Sequence, residues 1–421
     1  MTVAELEPQR ARRGQGRYER WIVLAVALLL LAALAVPQAL RRLLAESAGA
    51  AAAPNIGPPA KPSTAGEFRG ITIQLQSYWD GTPFEKFVEE IAQTGANTVC
   101  LAVAAYQENS GSNSLFIEYR KVPSVERLAK LVRLCHDRGL RVVMMPIVLL
   151  ENPGTGEWRG KINPPNPDSW WEDYENFVLF YAQEAEASKV DLFMVGSELV
   201  SIEDQTDRWR NLIRKARKAF TGRLSYSANW DHYEDIEWWH DLDLVGMTSY
   251  YDLVGDKKPS LEVLMEAWEP IKKKVLIWQK KVNMPILFTE VGWPSQEGCA
   301  KEPWNYYGST KPDCETQTMC FDAFFRTWRD EPTISGFLIW EWRNEAYQVG
   351  GDKDFSYVPC GKPVMRVIRE FFQSPGGAPK LERLTPGTMA APSASAPARA
   401  AADASAPAGP EAFDIDAAPA R

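Results

Sequence analysis

Histidine is scarce in this 421-residue chain: only His136, His232 and His240 occur, with no H-x-H or H-E-x-x-H spacing among them. That excludes the common histidine-built metal sites of hydrolases, and no metal is expected. Basic charge is also short, with 47 Lys and Arg against 55 Asp and Glu and no long basic run in the body. A net charge of −8 excludes an electrostatic nucleic-acid partner, which needs a basic face. No C-x-x-C pair is present, which argues against a four-cysteine zinc site. No glycine-rich turn follows the first apolar run, where Gln74-Leu75-Gln76-Ser77-Tyr78-Trp79 stands instead. A phosphate or dinucleotide cradle is therefore excluded, and no cofactor is expected. What is plentiful is tryptophan: sixteen residues, fifteen of them between positions 66 and 375.

The ends differ from the middle. Residues 1–20 hold Arg10, Arg12, Arg13, Arg17 and Arg20, and residues 21–40 form an apolar run of about the 20 residues a helix needs to cross a bilayer. Arginines ahead of the run place a cytoplasmic basic segment before a transmembrane anchor, with the rest of the chain on the periplasmic or extracellular side. Arg41 and Arg42 stand where a small-residue cleavage site would fall, which favours an uncleaved anchor over a signal peptide. Residues 41–65 read as a flexible linker and 376–421 as a disordered tail, both rich in Ala and Pro and without apolar periodicity. Cys100 and Cys135 lie on apolar faces and read as buried thiols, whereas Cys299, Cys314, Cys320 and Cys360 lie close together in an exported stretch and are expected to form disulfides.

Between these ends, residues 66–375 alternate strand and helix signals. Strands are expected at Gly70–Leu75, Thr98–Val103, Arg141–Val148, Asp191–Val195, Arg223–Ala228, Leu242–Thr248, Pro285–Phe288 and Ser335–Ile339. Most are continuous apolar runs, the pattern of strands covered on both faces. Thr82-Pro83-Phe84-Glu85 carries an N-cap, a first-turn proline and a capping-box glutamate, and Ser124 opens a second helix. Further helices are expected at Ser169–Ala187, Asp207–Phe220, Leu261–Lys281, Glu315–Arg329 and Pro363–Phe372. The fold class is α/β, a (β/α)8 TIM barrel.

In such a barrel the chemistry sits where the strands end. Those ends read Tyr78-Trp79-Asp80, Gly196-Ser197-Glu198, Asn229-Trp230-Asp231-His232, Ser249-Tyr250-Tyr251, Thr289-Glu290-Val291-Gly292-Trp293 and Trp340-Glu341-Trp342. Carboxylates and aromatics crowd one rim. Two opposed carboxylates suit glycosidic cleavage, one giving a proton to the leaving oxygen and the other attacking the anomeric carbon or activating water. Indole faces offer the apolar side of a sugar a surface to stack on.

The pieces Val195-Gly196-Ser197-Glu198-Leu199, Phe288-Thr289-Glu290-Val291-Gly292-Trp293-Pro294 and Phe337-Leu338-Ile339-Trp340 resemble the clan of retaining (β/α)8 glycoside hydrolases with catalytic glutamates after strands four and seven. Within it the chain is most similar to glycoside hydrolase family 113, known mainly for endo-β-mannanase activity. The resemblance implies Glu198 as general acid/base, Glu290 as nucleophile, Tyr250 as hydrogen-bond donor to Glu290, and Trp340 as floor of the reacting subsite. Ser197 departs from the asparagine that many clan members place there for the sugar 2-hydroxyl. Trp79, Trp230, His232 and Trp293 are further candidates for sugar contact at the strand ends. The expected function is a retaining glycoside hydrolase acting on a β-linked polysaccharide outside the cytoplasmic membrane. A non-catalytic carbohydrate-binding barrel and a transglycosylase in exopolysaccharide assembly stand as alternatives.

Overall fold

The computed structural model describes residues 68–77, 81–342 and 350–373. Eight parallel strands close in sequence order: β1 (Phe68–Gln74), β2 (Thr98–Gln107), β3 (Arg141–Leu150), β4 (Leu192–Ser197), β5 (Arg223–Ala228), β6 (Val245–Thr248), β7 (Ile286–Val291) and β8 (Ile334–Ile339). β8 pairs with β1 through Phe68↔Gly336 to Ile71↔Ile339, which completes the barrel. The expected architecture is thus the one observed.

Among the described residues seven α-helices surround it: α1 (Phe84–Ala92), α2 (Val125–Asp137), α3 (Pro167–Ser188), α4 (Thr206–Ala219), α5 (Leu261–Val282), α6 (Cys314–Trp328) and α7 (Val364–Gln373). β5 and β6 are joined by a 3-10 turn at Trp239–Asp241 in place of a helix. Where polar side chains can accept from the first free amides, they set the starts. Ser124 caps α2 through Arg127 N–H, and Ser260 caps α5 through Val263 N–H. The capping box expected at Thr82 is not formed. Its hydroxyl pairs with Ser77 instead, and Glu85 turns to the Arg127 guanidinium.

Alternate residues of the strands face inward and outward. Inward, Cys100, Ala102, Ala104, Val143, Met145, Leu192, Met194, Leu287 and Leu338 fill the barrel; outward, a larger apolar layer meets the helices. Each fully buried Leu, Val or Met contributes about 1.5–3 kcal/mol relative to exposure. The walls approach so closely that a Cβ on Gly246 would stand 2.2 Å from the Tyr226 carbonyl oxygen. Cys100 and Cys135 are buried thiols, as expected.

The disulfides expected in the last quarter are not formed. Cys299, Cys314 and Cys320 carry thiols, with Cys299 and Cys320 buried against each other and Cys314 Sγ 3.9 Å from the Asp352 carbonyl. No described helix is long and apolar enough to cross a membrane. The anchor expected at 21–40, the linker at 41–65 and the tail at 376–421 lie outside the described residues.

Candidate active site

Glu198 stands just past the end of β4, and its placement begins at Gly196. A Cβ there would be 2.2 Å from the Tyr174 hydroxyl, which donates to the Val195 carbonyl at 2.7 Å. Only glycine leaves room for that buttress. The β4–β5 register then shifts between Met194 and Ser197, and a shift of this kind re-aims side chains. Glu198 itself has φ +54°, a left-handed conformation that costs a non-glycine residue about 1–3 kcal/mol.

Two hydrogen bonds hold that conformation. Glu198 N–H donates to the Ser227 carbonyl at 2.8 Å, and Leu199 N–H donates to the Tyr226 hydroxyl at 2.8 Å. Tyr226 in turn donates to the buried Glu203 carboxyl at 2.7 Å. Burial pushes Glu203 up to about 8.

Glu290 lies in β7, whose pairing changes register on both sides: with β6 between Met247 and Thr248 of β6, and with β8 between Phe288 and Val291 of β7. Its backbone carbonyl accepts from Ser249 Oγ at 3.0 Å. Its carboxylate takes two donors, the Tyr250 hydroxyl on Oε2 at 2.9 Å and the Ser197 hydroxyl on Oε1 at 3.5 Å. Arg159, from the 3-10 turn Arg159–Lys161 after β3, donates Nη2 to Glu198 Oε2 at 2.9 Å. All of these side chains are buried.

Glu290 therefore sits under opposing influences. Burial, and after it the charge of Glu198, push its carboxyl well above the usual carboxylate range. The guanidinium of Arg159 and the Tyr250 hydroxyl pull it back down. Tyr250 is itself pushed up, by burial and then by Glu290, so it stays a protonated donor. The charge on Glu198 favours a proton on Glu290, so like charges oppose ionising both carboxyl groups together. One proton donor and one anion, in the same buried place, is the equipment of general acid with nucleophile or base.

The other expected residues divide. Trp340 is half-buried at the end of β8, while Trp342 points to the outer face and donates its indole N–H to Glu90 at 3.0 Å. Trp230 is half-buried and stacks on Trp304, centroids 6.1 Å apart and planes 14° from parallel. His232 is half-exposed, its Nε2 3.9 Å from Asp231. The expectation of sugar contact at Trp293 is corrected. Its ring is wholly enclosed, edge-on to Phe321 of α6, because the turn after β7 folds behind the strand end. Trp79 lies outside the described residues.

Three residues of the site were not anticipated. Arg159 comes from a long irregular loop, and no local pattern marks it. Gln74, the last residue of β1, donates to Glu341. Tyr357 is buried beside Tyr250 and bonds the Pro303 carbonyl. Among the described residues no group of His, Cys, Asp and Glu could hold a metal ion.

Set beside known proteins, residues 72–362 match the model of Glycoside Hydrolase Family 113. A structure of a family 113 β-1,4-mannanase is similar at 27% identity and TM-score 0.66, covering 73% of this chain and 99% of that one. The family 113 β-mannanase of Alicyclobacillus acidocaldarius is similar at 25% identity and TM-score 0.66, covering 73% of this chain and 98% of that one. A β-glucuronidase of Faecalibacterium prausnitzii, at 14% identity and TM-score 0.51 over 73% of this chain and 48% of its own, shares the fold. No curated protein matches the chain.

Proposed function

The chain belongs to glycoside hydrolase family 113, and on that premise we propose that it cleaves a β-linked, mannan-like polysaccharide with retention of configuration. It is a glycoside hydrolase. The observation that carries the finer reading is the donor set on Glu290, the hydroxyls of Tyr250 and Ser197. Water-activating bases need room for a water; a nucleophile needs donors that hold its charge and its line of attack.

In this reading the sugar enters over Trp340. The electron-poor anomeric carbon favours charge on Glu290, and the lone pair of the leaving oxygen favours a proton on Glu198. Glu290 attacks, the C–O bond breaks, and Glu198 gives its proton to the leaving chain. Glu198, now ionised and steadied by Arg159 at 2.9 Å, takes a proton from water, which releases the sugar from Glu290. Arg159 thus favours the second half of the cycle over the first.

The full-length chain is expected to release reducing sugar from β-1,4-mannan, with the β anomer appearing first in proton NMR. An α anomer first would remove retention, and no release from any of a panel of β-glycans would remove the polysaccharidase reading.

For location, the proposal is a single-pass anchor at residues 21–40 with the barrel outside the cytoplasmic membrane. It is supported by the arginines before that apolar run. Alkaline phosphatase fused after Arg421, active only when exported, is expected to be active; an inactive but stable fusion would overturn the orientation.

A further inference from the structure

A third carboxylate, Glu341, lies near the glutamate pair, and the two-carboxylate mechanism gives it nothing to do. It follows Trp340 at the end of β8, and its charge reaches both Glu290 and Tyr357. Gln74 of β1 donates Nε2 to its Oε2 at 2.5 Å, across the pairing of β1 with β8. Gln76 donates in turn to the Gln74 side-chain oxygen. The row Gln76–Gln74–Glu341 therefore runs beside Trp340.

This row is incompletely satisfied by the protein. Among the described residues Glu341 has one hydrogen-bond donor and no cation partner, and the buried Oε1 of Gln76 has no partner. Burial pushes the Glu341 carboxyl up to about 8. A half-buried carboxyl with a single amide donor gains little for folding, so stability does not account for it. A structural role would call for an arginine or lysine, and a second nucleophile for donors like those on Glu290. Glu341 has neither. What a half-satisfied row of acceptors does suit is a ligand bearing several O–H donors.

We propose that Glu341, aligned by Gln74 and Gln76, accepts hydrogen bonds from ring hydroxyls of the sugar in the reacting subsite, and so selects a sugar bearing hydroxyls at those positions. The inference rests on the glycosidase reading. It makes Glu341 a specificity residue, separate from the proton and bond chemistry of Glu198 and Glu290.

The test uses the full-length chain with 2,4-dinitrophenyl β-mannoside and its 3-, 4- and 6-deoxy analogues. Wild type is expected to prefer the parent over at least one analogue by about 10-fold in kcat/KM, the size of a neutral hydrogen bond. Glu341→Gln and Gln74→Ala should lower the parent's kcat/KM toward that analogue's, mainly through KM, while leaving the analogue nearly unchanged. Equal losses on all four compounds, in variants whose thermal unfolding matches wild type, would overturn the proposal. Wild-type turnover of the parent tests the glycosidase reading by itself, so the two failures are distinguishable. If that turnover is absent, calorimetric binding of the corresponding methyl β-mannosides carries the same comparison.

Discussion

Glu290→Gln is expected to lower β-glycan turnover by at least about four orders of magnitude, as removal of a covalent nucleophile does when donors and binding groups remain. The amide is nearly isosteric, and its oxygen can still accept from Tyr250 or Ser197, which now lie 2.9 and 3.5 Å from the carboxylate. It cannot attack an anomeric carbon. It also removes a buried ionisable group whose charged form the site disfavours, so thermal unfolding should be unchanged or shifted upward. Kinetics and unfolding measured on one preparation separate chemistry from folding. Activity within tenfold of wild type, in a folded variant, would remove Glu290 from the reaction.

Glu198→Ala should show a different pattern. Turnover of mannan is expected to fall by about 10³-fold or more, because the leaving sugar needs a proton. A dinitrophenyl glycoside leaves without one, so glycosylation of Glu290 should survive and the covalent enzyme should accumulate. Azide, which needs no general base, should then restore turnover and yield the β-glycosyl azide. The alkaline limb of the rate profile should disappear, since the proton lost with rising pH is the one Glu198 delivers. Truncation also breaks the buried ion pair with Arg159, at a cost of up to about 3–5 kcal/mol. Glu198→Gln, which keeps a partner for the guanidinium, is the companion variant. Absence of azide rescue in both folded variants would show that Glu198 is not the acid/base.

Much of the barrel is legible in the sequence, because parallel strands covered on both faces must be apolar throughout. β5 is expected at its observed limits, and the other strands differ by up to a few residues, with β2 running on to Gln107. The errors come from tertiary competition. Thr82 has the composition of a cap, but Ser77 reaches it first. Glu198, Glu290, Tyr250 and Trp340 are legible because strand ends point to one rim. Arg159 is not, since its loop carries no period. The link from Gln74 to Glu341 spans 267 positions, and only barrel closure brings the two together. Trp293 shows the limit of reasoning from strand ends: a residue two places beyond a strand can fall on either side of the turn, and here it falls behind.

The crowding of aromatics behind the strands has an optical consequence. Every described tryptophan other than Trp230, Trp304 and Trp340 is buried. Emission from the described rings should be blue and mostly out of reach of iodide, with their accessible fraction confined to these three. An oligosaccharide settling on them would dim or shift a thin slice of a bright, constant background, so fluorescence titrations of this enzyme should be read as difference spectra.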